Sequence, residues 1–298
     1  MATPAAGLRS PVTIEIVVPA RNESQRLPAG LAKLCQAAAE LPVPAAILVV
    51  DSASTDLTHT VVEEWPPGPV PVRLLRCHRA GKGRAVRMGL LATTAPFVGF
   101  CDADMATDLA ALDVAVGLLA AGHPLVIGSR ALDSSVAEDR HSGIRRVGAA
   151  AFRTLAGRIV PDASDTQCGF KFFSGPIARS AALSLRTPGF AFDVELLARC
   201  QELGITLTEI PVCWQDVPGS KFSFTRHSAQ TFRDLASIWL RLRTAPRLAA
   251  QPGPSAGEPG WLPALPLRLT VSGEPAPPFQ APAAPPWTPV RSAEAPTA

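Results

Sequence analysis

The chain has 298 residues, 47 % of them hydrophobic, with a formal net charge of +3; that length supports one large α/β domain or two small ones, and so weak a charge excludes non-specific nucleic-acid binding as the main role. Six cysteines, at 35, 77, 101, 168, 200 and 213, show no CxxC or paired spacing, which points to reduced, mostly buried thiols in the cytoplasm rather than a disulfide framework. No apolar run approaches the ~20 residues that span a bilayer, and no charged-then-apolar leader opens the chain, so neither a spanning segment nor a secretion signal is expected.

In chain order, short β-branched or apolar runs at 13–20 (TIEIVVPA), 45–52 (AAILVVDS), 72–77 (VRLLRC), 97–104 (FVGFCDAD) and 124–130 (PLVIGSR) alternate with helical spacing at 24–40, 55–65, 82–93 and 108–121. Such runs suit strands buried on both faces, and their repetition with helices implies a parallel sheet with right-handed crossovers. Ligands of such sheets bind beyond the carboxyl ends of the strands. Arg21 to Glu23, Asp51, Asp102 with Asp104, and Ser129 with Arg130 each stand where a run ends, so four strand ends are expected to bring polar groups to one rim. From about 140 the pattern is mixed, with helical spacing at 144–158, 176–184, 190–203 and 228–243 and one strand at 207–214 (LTEIPVCW). Beyond Ala245 lie 14 of the 31 prolines and little periodicity, the composition of a disordered tail.

Asp102 and Asp104 raise the main chemical question. One carboxylate is enough to open a turn or cap the next helix, a task equally open to Thr107 or Asp108. Two at i and i+2 on an extended segment project to one side and can share a hard cation, which in turn bridges the phosphates of a nucleotide. Without a cation they would crowd like charges into a partly dry crevice. No GxGxxG follows the first strand, and GKG at 81–83 lacks the Walker spacing. Lys82 at a helix start either meets an anion beside free N–H groups or is simply solvated. Histidines 59, 78, 123, 141 and 227 share no metal-ligand spacing.

Taken together and in order, VVPARNE, VVDSASTD, GKGRAVRMG, DADMAT, GSR, SDTQCGFKFF, FAFDVELLARC and EIPVCWQDVPGSK resemble the family 2 glycosyltransferases of GT-A fold. More narrowly, they resemble the dolichyl-phosphate (polyprenyl-phosphate) β-glucosyltransferase group, cousins of the dolichyl-phosphate mannose synthases. The resemblance implies an α/β fold with a mainly parallel central sheet flanked by helices. It implies a flexible stretch at 1–11, a catalytic domain at 12–243 with a donor half (12–130) and an acceptor half (131–243), and a disordered Pro-rich tail at 244–298.

It further implies nucleotide contacts at Pro19, Ala20, Arg21, Glu23, Asp51, Lys82, Asp102, Ala103 and Asp104, with Asp102 and Asp104 holding Mg²⁺ or Mn²⁺ against the donor diphosphate. Ser52 and Ala53 depart from the Asp and Gly usual in the second-strand motif. Ala106 stands where mannose synthases usually carry Gln, and with DTQCGFK this is the glucosyltransferase form. Arg130, Arg145 and Arg146 match positions that grip phosphate, with Lys171 and Lys221 as further candidates; Arg145 and Arg146 also fit an exposed helix start. Asp193 matches the acceptor-side acid and joins Arg130 as an expected catalytic residue, while Glu195 points elsewhere on the helix and is expected to be structural.

The implied activity is inverting transfer of glucose from UDP-glucose to a polyprenyl phosphate, whose anionic oxygen needs no strong base. A GDP-mannose donor, a soluble acceptor and a non-catalytic sugar-nucleotide-binding scaffold are the alternatives. A lipid acceptor brings the chain to a membrane surface or a membrane partner, as a peripheral protein of the cytoplasmic, inner face. Phe232, Leu235, Ile238, Trp239 and Leu242 recur at helical spacing among Arg226, Arg233, Arg241 and Arg243, the pattern of either an interfacial or a core-packing helix.

Overall fold

A computed structural model of the chain describes residues 12–132, 143–215 and 224–244, the side chains of 143–147 and 224–228 excepted. Strands β1 (Ile14–Ala20), β2 (Ala45–Ser52), β3 (Val72–Cys77), β4 (Phe97–Cys101), β5 (Leu125–Ser129), β6 (Phe170–Ser174) and β7 (Thr208–Pro211) form one sheet in the order β3-β2-β1-β4-β6-β5-β7. The helices are α1 (Leu27–Ala39), α2 (Thr58–Glu63), α3 (Lys82–Ala92), α4 (Ala111–Ala120), α5 (Gly143–Ile159), α6 (Gly175–Ser184), α7 (Phe192–Glu202) and α8 (Phe224–Thr244). The sheet is parallel except for β6, which runs antiparallel to both β4 and β5.

Period-two alternation divides the core between the two faces. Ile14, Ile16 and Val18 of β1 meet α1, α2 and α4, whereas Val17 faces the side covered by α3 and by α5 to α8. The chain leaves β1 toward β2 on one side and returns to β4 on the other. That reversal opens a crevice between the carboxyl ends of β1 and β4, the place where sheets of this kind bind ligands.

Three local features differ from the sequence pattern. Strand β6 has no counterpart among the expected runs, because Lys171 interrupts its apolar character and Gly169 and Gly175 bracket it as loop punctuation. It pairs Phe172 with Gly99 of β4, and only glycine fits there, since a Cβ would lie 2.1 Å from the Phe172 ring. Strand β4 stops at Cys101, not 104: the Met105 N–H donates to the Asp102 carbonyl at 3.0 Å, closing a turn. The run expected at 207–214 is a strand only over Thr208–Pro211, and Trp214 makes an isolated antiparallel bridge to Thr107. Of the segments expected to be flexible, 1–11 and 244–298, all but Thr244 lie outside the described residues, and Thr244 is the last residue of α8.

Helix α8 divides its own apolar stripe. Leu235 and Ile238 are buried with α5 and α7, but Trp239 and Leu240 are 41 % and 54 % exposed. A step of about 100° per residue carries 239 and 240 off the face that seats 235 and 238. Among the described residues no helix is long and apolar enough to cross a membrane. Ile238→Glu, which puts an unpaired carboxylate into that core, is expected to cost roughly 4 kcal/mol or more, while Trp239→Glu stays within about 1 kcal/mol of the parent. Denaturant unfolding of the two variants checks this, and equal losses would contradict the division of the helix.

Candidate active site

The two aspartates after β4 sit in a turn and not on an extended segment, and Met105, with φ of +46°, completes it. Its position is set from outside. The Asp102 N–H donates to the Gly169 carbonyl at 3.1 Å, and a Cβ on Gly169 would lie 2.1 Å from Asp102 Oδ2. Helix α1 presses from the other side through Gly30, whose Cβ would come 2.6 Å from the Ala103 carbonyl oxygen. Burial and the Asp102 charge together raise the Asp104 carboxyl above the usual carboxylate range, against the pull of Arg26 and Lys82. Two hard oxygen ligands that repel one another fit Mg²⁺ or Mn²⁺. Among the described residues no third His, Cys, Asp or Glu joins them.

Lys82 reaches this turn from the start of α3, its ammonium 2.6 Å from Asp102 Oδ1. The flanking glycines explain how. Gly81 has φ of +146°, which an L side chain rarely adopts, and a Cβ on Gly81 or Gly83 would strike the carbonyl of Pro188 or Thr187. The helix start therefore lies directly on the 187–192 loop, with Lys82 5.8 Å from the Phe192 ring centre. One residue on, Asp193 is buried and paired with Lys171 at 2.7 Å; the Lys171 ammonium also donates to the Cys168 carbonyl at 2.6 Å. Burial raises the Asp193 carboxyl above its ordinary range, against Lys171 and Lys82.

One expected placement changes as a result. Lys171 is fully buried with its ammonium committed, so it does not present itself to an acceptor phosphate; it neutralises Asp193 under the crevice floor. Asp193 is likewise enclosed, and its carboxylate accepts from the Lys171 ammonium. Glu195, expected to be structural, accepts from the Arg186 and Thr187 N–H groups and pairs with Arg199 and Arg241.

The loops after β1 and β2 form a single hydrogen-bonded rim. The Asn22 N–H donates to Ser54 Oγ at 2.9 Å, the Thr55 N–H to Asn22 Oδ1 at 2.7 Å, and Ser24 donates to Asp56 at 2.8 Å. Burial works to raise the Asp56 carboxyl, but the bonds from Thr58 and Ser24 outweigh it and hold it at about 2. Pro19 and Ala20 end β1, and Arg21 is exposed at the rim. Asp51 is buried and accepts from the Ser54 N–H at 3.2 Å. Ser52 uses its hydroxyl on the loop before α3, accepting from the Gly81 N–H at 3.0 Å. Ala53 takes φ of +52°, the left-handed conformation for which glycine is the unstrained residue.

Glu23 is engaged by Arg26 through two bonds of 2.8 and 2.7 Å. Arg26 did not stand out in the sequence, yet its Nη1 is buried with no hydrogen-bond partner among the described residues, and Asp104 is near enough to act on it. Asp165 was likewise missed: it grips Arg130 with bonds of 2.6 Å to Nε and 3.0 Å to Nη2. No spacing links 130 to 165, although both fall within segments that carry the family resemblance. Burial works against the Arg130 charge, but Asp165 more than compensates, and Asp102 adds in the same direction. Beyond Arg130, Leu132 is 49 % exposed, and across the end of β7 Trp214 is 41 % exposed. The side chains of Arg145 and Arg146, and all of Lys221, lie outside the described residues.

A mainly parallel sheet, a switch-point crevice and paired carboxylates ringed by cations define a sugar-nucleotide transferase of GT-A architecture. Residues 15–175, more than half of the chain, match the family Glycosyl transferase family 2. The chain belongs to that family. It is 37 % identical over 243 residues to the dolichyl-phosphate beta-glucosyltransferase of Drosophila melanogaster, covering 76 % of this chain and 74 % of that protein. It is 32 % identical over 246 residues to the protein of the same name from Homo sapiens, covering 78 % and 76 %. In fold it is similar to glucosyl-3-phosphoglycerate synthase from Mycobacterium tuberculosis, solved with Mn²⁺, UDP-glucose and phosphoglyceric acid, with a TM-score of 0.55 at 20 % identity over 79 % of this chain and 81 % of that one.

Gly169 offers a direct test of how the aspartates are held. Gly169→Ala is expected to push the Asp102 carboxylate aside and to weaken Mn²⁺-dependent UDP binding by about tenfold or more, the cost of misplacing one ligand by an ångström or so. Gly157→Ala on α5, where an added Cβ meets nothing within 4 Å, is the control. Calorimetric titration of both variants gives the answer, and equal UDP affinities would show that Gly169 does not set the turn.

Proposed function

We propose that this chain transfers glucose from UDP-glucose to a polyprenyl phosphate with inversion at the anomeric carbon, assisted by Mg²⁺ or Mn²⁺ held at Asp102 and Asp104. The observation that carries this is the charge pattern of the crevice: a carboxylate pair ringed by Lys82, Arg26 and Arg130. Such a site suits two anionic reactants and a departing diphosphate, and it needs no strong base. The names of the relatives supply the donor sugar and the lipid acceptor.

In this proposal an oxygen of the acceptor phosphate attacks C1 of glucose. The bond from C1 to the diphosphate oxygen breaks, and its electron pair leaves with UDP. When bound, the cation neutralises charge on the leaving group. Asp51, Arg21 and the rim built on Asn22 receive the nucleoside, while Glu23 keeps Arg26 aimed toward Asp104. Lys82 lies beside the leaving group, and Asp193, through Lys171, keeps the crevice floor neutral. Arg130, aligned by its fork to Asp165, orients the acceptor phosphate, since a guanidinium pre-set in this way loses little freedom on gripping a second anion.

Apolar groups continue outward from that phosphate site. Leu132 and Trp214 flank the ends of β5 and β7 and offer a lip for the first prenyl units. On α8 the exposed stripe of Arg233, Trp239, Leu240 and Arg243, with Arg243 stacked 3.9 Å from the Trp239 ring centre, suits an anionic bilayer surface. We place the protein peripherally on the cytoplasmic leaflet on that basis.

Calorimetry with UDP and GDP, each with and without Mn²⁺, is expected to show tight binding only for UDP with Mn²⁺. Asp104→Ala should abolish the metal dependence while the domain stays folded. Arg130→Ala should leave UDP affinity unchanged and lower transfer by ~10²-fold, the scale of a lost preorganised charge contact; a loss of UDP binding instead would move Arg130 to the donor side. Preference for GDP would point to a mannosyl donor.

Trp239→Glu combined with Leu240→Glu should reduce sedimentation with phosphatidylserine vesicles by about tenfold or more. Transfer to a short, water-soluble prenyl phosphate should persist. Undiminished vesicle binding would remove α8 as the membrane contact.

A further inference from the structure

We propose that Lys82 is a displaceable counter-ion at the cation site: its ammonium and a divalent cation compete for Asp102 Oδ1, and the diphosphate of the donor takes the ammonium when the cation takes the carboxylate. Nucleotide and cation then bind with positive coupling that runs through this one side chain. The proposal rests on the assignment of Asp102 and Asp104 as cation ligands.

Four observations carry it. The Lys82 ammonium stands 2.6 Å from Asp102 Oδ1, so a cation bound through that oxygen meets the ammonium first. The backbone of Lys82 has nowhere to go, because Gly81 and Gly83 lie against the Pro188 and Thr187 carbonyls and the Gly83 N–H is bonded to the Pro188 carbonyl at 3.0 Å. Any adjustment must therefore come from the side chain, which keeps some solvent exposure. Third, the surroundings offer the ammonium poor alternatives within the protein. Phe192 presents a ring face at 5.8 Å, and Asp193 is already paired with Lys171.

The fourth observation is the balance of charge. Asp102, Asp104 and Asp193 face Lys82 and Lys171, while Arg26 and Arg130 are each paired with a carboxylate of their own, Glu23 and Asp165, which leaves one negative charge over. A divalent cation arriving alone turns that deficit into an excess and strands the lysine among positive charges. A diphosphate arriving with it restores the balance and accepts the freed ammonium at the amino end of α3, where the helix dipole also favours an anion. Cation and nucleotide each do better in the presence of the other, and the coupling is reciprocal.

The experiment measures Mn²⁺ binding by paramagnetic resonance and UDP binding by calorimetry, with no turnover required. In the parent protein UDP is expected to tighten Mn²⁺ binding by tenfold or more. In Lys82→Met, Mn²⁺ alone should bind about fivefold more tightly than in the parent, because its competitor is gone. The enhancement by UDP should shrink to about threefold or less, and Lys82→Arg should restore most of it. Should Lys82→Met fail to fold in a circular-dichroism melt, Lys82→Gln takes its place. Mn²⁺ affinity unchanged or weakened in the variant, with the UDP enhancement intact, would overturn the proposal. A parent protein that binds Mn²⁺ at Asp102 and Asp104 without any response to UDP also overturns it while leaving the cation site standing. Absence of any Mn²⁺ binding with UDP present overturns both.

Discussion

Three carboxylates, those of Asp102, Asp104 and Asp193, are gathered where β4, β6 and α7 meet, and the rest of the site depends on how that charge is held. Burial penalises the charge of Asp104 and Asp193. The compensation comes from two lysines at different depths: Lys171, fully enclosed, neutralises Asp193 from below, and Lys82, nearer the surface, neutralises Asp102. A lysine in the middle of a buried strand is costly unless paired. Here Asp193 of α7 supplies the partner for Lys171, which lies in the middle of β6, the antiparallel strand between β4 and β5.

Close backbone contacts enforce the same arrangement. Gly169 brings the end of the β6 segment against the Asp102 carboxylate, Gly30 brings α1 onto the turn, and Gly81 with Gly83 lets α3 begin directly on the 187–192 loop. At Gly30, Gly81 and Gly83 a methyl group would strike a backbone carbonyl and force the elements apart, and at Gly169 it would displace the Asp102 carboxylate. The turn that carries the aspartates is thus held from outside by Gly169 and Gly30 as well as by its own Met105 N–H bond to the Asp102 carbonyl. Charge held in place in this way stabilises a developing charge better than groups that must move on demand.

Where the sequence departs from the family pattern, the structure supplies a local replacement. Ser52, in the position usually held by a second aspartate, binds the Gly81 amide and so ties β2 to the start of the helix that delivers Lys82. Ala53 occupies a left-handed position that suits glycine, at a cost of about 1 kcal/mol that the surrounding rim of hydrogen bonds offsets. At the end of β5, Asp165 likewise sets the direction of Arg130 through two bonds.

The sequence by itself determined the alternation of strands and helices through β5, the polar groups at four strand ends, and the pair of aspartates after an apolar run, because hydrophobic period and strand-end chemistry are local properties. It also carried the eight ordered segments that mark the family. It did not disclose β6, whose apolar run is broken by the lysine that pairs with Asp193, nor the pairing of Arg130 with Asp165 across 35 residues. Only the tertiary structure decided that Asp102 and Asp104 lie in a turn, that Lys171 serves Asp193, and that Ile238 belongs to the core while Trp239 faces out. In each of these the outcome depends on which distant segment arrives at a given point, and a residue's spacing along the chain does not encode its neighbours in space.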